Sequence, residues 1–187
     1  MIRDRSSCGF LFPTAEQQLV LNAALLEGDE AVTAYLTWRR NIDLDAEFDR
    51  GTFRLLPLMY QNLQRHAIQD SLMGRLKGIY RMAWYENHRL VHRTVPALQL
   101  LNQNGIETMA VKGLPLIVDY YRNFAVRPMA DLDVVVRTNQ ARRSIALLEA
   151  AGWKRNERAS DEDLLYRHSM QFLHPEKGEL DLHWHLL

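Results

Sequence analysis

The hydrophobic period of the chain changes at Asn104-Gly105, and that change sets the fold class. Before it, apolar residues recur at helical spacing; after it, they cluster and alternate as strands do. Thr14 and Gln17 form a capping-box signature after Pro13, with Leu19, Ala23 and Leu26 following on one helical face. A second helix is predicted over Glu30–Arg40, its turns marked by Val32, Leu36 and Arg40. A third is predicted over Thr52–His66, with Leu55, Leu56, Met59 and Leu63 on its apolar side. Ser71–Asn104 is helical in pattern throughout, with Pro96 predicted to split or kink it and Asn104-Gly105 to close it in a left-handed cap.

Beyond Gly105, Ile106–Val111 reads as a strand, followed by Lys112-Gly113 and a short helix from Leu114 to about Tyr121. Pro115 suits the first turn of that helix, where no backbone donor is missed. Asp131–Val136 is a second strand, and Thr138–Ala151 a helix stopped by Gly152. A polar loop is expected over Asn156–Asp163. Leu164–His174 and Glu179–His185 read as a hairpin turning at Pro175-Glu176-Lys177-Gly178. The register drawn from that turn sets Phe172 opposite Asp181, Met170 opposite His183 and His168 opposite His185. The expected division is a helical region over residues 1–94 and a strand-containing core over 95–187. The fold class is α+β: a small mixed sheet with flanking helices, beside an N-terminal helical bundle.

Composition narrows the function classes. Hydrophobic residues are 47% of the 187, enough for a core, and the formal net charge of zero gives no strong nucleic-acid signal and no membrane-surface patch. No apolar run is long enough to span a bilayer, and the first residues lack a signal-peptide stretch. The single cysteine, Cys8, excludes an internal disulfide and fits a cytoplasmic protein.

The chemistry concentrates in Asp131-Leu132-Asp133-Val134-Val135-Val136. Strand side chains alternate, so Asp131 and Asp133 share one face while Leu132, Val134 and Val136 turn to a core. Two carboxylates that close repel unless a cation lies between them, and magnesium prefers such oxygens together with substrate phosphates. Acid pairs also recur at Asp43-Leu44-Asp45 and Asp161-Glu162-Asp163, but Asp43 and Asp45 lack a following strand and read as solvated. Leu180-Asp181-Leu182 supplies a third acid in a strand context. Upstream, a strand, Lys112-Gly113 and a helix start make an arrangement that attracts an anion through free N–H groups and a point charge.

In order and type these elements resemble the polymerase-beta-type nucleotidyltransferase superfamily. More narrowly, the chain resembles a poorly characterised bacterial nucleotidyltransferase family, through Val111-Lys112-Gly113, Arg127-Pro128-Met129-Ala130-Asp131-Leu132-Asp133 and Leu180-Asp181-Leu182-His183-Trp184. The resemblance covers about residues 95–186. It implies a metal-dependent transfer of a nucleoside monophosphate, from a nucleoside triphosphate such as ATP to an acceptor hydroxyl. Two magnesium or manganese ions would lie on Asp131, Asp133 and Asp181, and Lys112, Gly113, Leu114 and Arg127 would hold the phosphates. The acceptor is open: a protein, a peptide or a small molecule. Leu114 stands where the superfamily usually has a small or hydroxyl residue after the glycine.

Arg127 either clamps a triphosphate oxygen or pairs with Asp119 or a site acid. His183 and His168 are expected behind the carboxylates, and Trp184 in the core. Tyr80, Trp84 and Tyr85 read as packing between helices. Two rival functions remain: a nucleotidyltransferase fold that binds without turnover, and a metal-dependent glycosyltransferase, which also uses an Asp-x-Asp pair.

Overall fold

The computed structural model describes residues 12–42, 48–66, 68–155, 164 and 166–185. Cys8, Asp43, Asp45, the pair Asp161 and Asp163, and the loop expected over 156–163 lie outside these residues. Among the described residues, six α-helices and a five-stranded mixed sheet make the fold α+β. The chain divides into two compact units, residues 1–83 with 125–127 and residues 84–124 with 128–187. The division falls inside the longest helix.

The first unit is helical. Helix α1 (Ala15–Leu25) starts as its capping box predicts: Gln17 N–H donates to Thr14 Oγ1 at 3.2 Å, and Thr14 N–H to Gln17 Oε1 at 3.0 Å. Its buried stripe is Val20, Ala23 and Ala24 rather than Leu19, Ala23 and Leu26. Helix α2 (Gly28–Arg40) buries Ala31, Ala34, Tyr35 and Trp38, which leaves Leu36 exposed. Helix α3 (Arg50–Leu63) is capped by the Asp49 carboxylate, which accepts from the Gly51 and Thr52 N–H groups. It buries Leu56, Met59 and Leu63.

Helix α4 (Ser71–Gln103) runs unbroken through Pro96, contrary to the expected split. A proline removes one helix donor and crowds the preceding turn, but buried Thr94 and Ala97 on either side hold the path. The helix ends in a Schellman motif: Ile106 N–H donates to Leu101 O and Gly105 N–H to Asn102 O, with Gly105 at φ +74°. Leu101 and Ile106 are both fully buried, the apolar contact that accompanies this cap.

The sheet has the order β1-β2-β5-β4-β3, with β1 (Met109–Ala110), β2 (Leu132–Val135), β3 (Lys154–Arg155), β4 (Ser169–His174) and β5 (Gly178–His183). Only β2 and β5 pair in parallel; the other neighbours are antiparallel. The hairpin is one residue out from the expected register. Phe172 faces Leu180, Gln171 faces Asp181 and Ser169 faces His183. Gly178 at φ +89° is the first residue of β5, not the last of the turn. Facing pairs share a side of the sheet, so this register keeps Phe172, Leu180, Met170 and Leu182 together on the apolar side. The expected register would have set Phe172 against a carboxylate.

That apolar side packs on Leu101, Ile106, Trp153 and the inner face of helix α6 (Ala141–Ala150), where Ile145 and Leu148 are buried. Leu132, Val134, Phe172, Leu180 and Leu182 each retain at most 1% exposure. Burying a large apolar side chain contributes roughly 1.5–3 kcal/mol, so this layer anchors the strands that carry the acids.

The segment after β1 departs from a regular helix. One helical turn, α5 (Gly113–Pro115), passes into a π-type stretch Leu116–Tyr120, and Tyr121 N–H donates to Leu116 O at 2.7 Å. Leu114 packs against the sheet core.

Candidate functional site

Strands β2 and β5 bring the acids together. Asp133 and Asp181 are direct partners in the parallel pairing, so their side chains leave the same face side by side. Asp131 sits two positions before Asp133, just outside β2. Buried Asn87 fixes the approach to it: its Nδ2 donates to Phe124 O at 2.6 Å, and its Oδ1 accepts from Met129 N–H at 2.9 Å. No sequence motif marks Asn87; a polar residue at 0% exposure within a helix is its only signature.

His183, two residues past Asp181, lies between the two carboxylates. Its Nε2 is 3.1 Å from Asp133 Oδ1 and 3.0 Å from Asp181 Oδ2, and the residue is 5% exposed. Its imidazole therefore lies within hydrogen-bonding distance of both carboxylates. Among the described residues, Asp133, Asp181 and His183 each offer a ligand atom within 4.8 Å of the others. Two carboxylates and an imidazole suit a divalent cation, and manganese accepts this mixture more readily than magnesium.

Asp131 is coupled to this group by charge. Burial, and then the charges of Asp133 and Asp181, hold its carboxyl above the usual range, with Lys112 opposing them. Such mutual repulsion is what a cation would relieve.

Lys112 enters from the other side of β2. Val111 N–H donates to Asp133 O at 3.0 Å and carries the chain past the acid. The Lys112 ammonium lies 2.5 Å from Asp133 Oδ1 and 3.3 Å from His183 Nε2. The hydrogen bond to Asp133 raises its pKa; burial opposes this, and the charges of Asp133, Asp181 and Asp131 add to it. Its backbone is at φ 56°, ψ −106°, a region that residues with a Cβ seldom adopt. Gly113, beside it, is buried.

The remaining predicted residues are more loosely placed. Arg127 is exposed and groups with the helical unit. His168 is exposed, its ring 6.0 Å from that of His183, and its carbonyl accepts from the Trp184 and His185 N–H groups. Trp184 is buried as expected, and its Nε1 donates to Leu164 O. Trp84 and Tyr85 are about half exposed, at 49% and 59%, so they do not pack as expected; Trp84 stacks on His88 instead. A cavity of about 390 Å³ opens beside Asp181, lined by Arg167, His168, Ser169, Met170 and Gln171.

A protein family described as uncharacterised nucleotidyltransferase matches residues 52–187. The chain belongs to this family. No curated protein and no solved structure matches it. Family membership makes nucleotidyl transfer the activity class and a nucleotide the expected ligand class, which weighs against glycosyl transfer. No described helix is long and apolar enough to cross a membrane.

Proposed function

We propose that this nucleotidyltransferase moves a nucleoside monophosphate from a nucleoside triphosphate to an acceptor hydroxyl, using divalent cations held by Asp131, Asp133 and Asp181. The observation that carries this reading is the in-register pairing of Asp133 with Asp181, with His183 Nε2 within 3.1 Å of both. Bound magnesium or manganese would supply charge neutralisation for the attacking and leaving oxygens. His183 completes the ligand set with Asp133 and Asp181. Asp181 borders the 390 Å³ cavity, and there it would orient the acceptor hydroxyl and take its proton. Lys112 and the backbone at Gly113 and Leu114 would bind the phosphate oxygens, and His168 would steady His183. The site would work in the cytoplasm.

Calorimetry tests the reading. Asp133→Asn and Asp181→Asn should each reduce magnesium-dependent triphosphate binding by a hundredfold or more, roughly the upper end for losing a group that orients a metal, with circular dichroism unchanged. Parent-like binding by both variants would refute the site.

A second reading is a binding module without turnover. Leu114 favours it, since its apolar side chain packs into the core and offers no hydroxyl to a phosphate. Triphosphate binding without pyrophosphate release on any acceptor would select the module.

A further inference from the structure

Lys112 stands where a cation would stand. We infer that its ammonium is the resident counter-ion of the acid pocket in the free protein, that a divalent ion enters only by exchange with it, and that the site therefore selects a metal–triphosphate chelate over the bare metal. The inference rests on the function proposed above and concerns how that site is loaded.

Asp133 needs a partner. Its side chain is only 10% exposed, and a carboxylate so far from water is costly unless paired. The Lys112 ammonium meets that need at 2.5 Å. It also lies 3.3 Å from His183 Nε2, so it touches two of the three donors that a metal would use. Ammonium and metal ion cannot share that position.

The exchange needs no repacking. The Lys112 side chain is 55% exposed, and its stem can swing into solvent without disturbing the core. The main chain at φ 56° and ψ −106° aims it at Asp133 from outside the strand. Strain of this kind persists where surrounding contacts hold it, and the pairing with Asp133 is one such contact.

The cost of exchange depends on what arrives. A bare divalent ion displaces Lys112 and leaves the ammonium without an anion. A chelate brings phosphate oxygens, so the displaced ammonium gains a new partner as it leaves the old one. Lys112 thus couples metal entry to triphosphate entry, and an acid pair that would otherwise trap free metal is kept closed.

Manganese titration followed by electron paramagnetic resonance, on full-length protein without nucleotide, tests this. Lys112→Met should bind manganese at least about tenfold tighter than the parent, because one positive charge has left the ligand cluster. Lys112→Arg, which keeps the charge, should stay close to the parent. A non-hydrolysable triphosphate should tighten manganese binding strongly in the parent and little in Lys112→Met. If Lys112→Met does not fold, Lys112→Gly carries the same expectation, since glycine suits φ 56°. Neutral variants that bind manganese no tighter than the parent, while Asp133→Asn abolishes binding, would overturn the exchange and leave the metal site standing. Parent-like manganese binding by Asp133→Asn would overturn the site itself and the exchange with it.

Discussion

The two faces of the sheet are made by alternate residues of the same strands, yet they follow opposite rules. On one face Leu132, Val134, Phe172, Leu180 and Leu182 are sealed from water, and each neighbour favours the next. On the other, Asp133, Asp181 and His183 crowd together, with Asp131 held above its usual carboxyl range by burial and by its neighbours' charges. The first face stabilises the fold. The second draws on that stability to keep like charges close, which is how functional sites commonly trade stability for chemistry.

The contrast predicts a graded set of outcomes. Phe172→Ala, on the sealed face, should lower unfolding free energy by about 3–5 kcal/mol in urea denaturation. A loss below about 1 kcal/mol would mean that this layer is not the anchor. Asn87→Ala strips the Met129 N–H and Phe124 carbonyl of their buried partner and should cost about 1–3 kcal/mol. It should also weaken triphosphate binding, because the chain leading to Asp131 loses its hold; destabilisation with unchanged binding would confine Asn87 to the fold.

Asp131→Asn should act in the opposite direction, with the smallest effect. The folded protein keeps the Asp131 proton to higher pH than the unfolded chain does, so stability falls as pH rises above 3.8. Removing the charge should raise the melting temperature at pH 7, with the gain shrinking as pH falls toward 3.8 and absent below it. A lower melting temperature at pH 7 would show that Asp131 is not in conflict with its neighbours.

Local physics was legible in the sequence; long-range pairing was not. The Thr14–Gln17 box, the Gly105 cap and the alternation through Asp131–Val136 each depend on residues within one turn or one strand, and each is present. The hairpin register slipped because Gly178 serves equally well as the last turn residue or the first strand residue; only the pairing of Phe172 with Leu180 decides. The position of His183 between two acids follows from the parallel match of β2 and β5, which no local pattern encodes. The reach of Lys112 depends on a positive φ at a residue with a Cβ, which propensity argues against. Pro96 within α4 shows tertiary packing overriding a local breaker.

The parallel pairing of β2 with β5 has one more consequence. Its two acids are far apart along the chain, and the unfolded polypeptide offers them only singly. A ligand that grips both works as a clasp on the closed sheet and has little affinity for the open chain. Thermal stability should then rise with the logarithm of ligand concentration, by about 2.7 kcal/mol at a hundred times the dissociation constant. A melting curve becomes a binding assay, able to rank candidate nucleotides before any acceptor is known.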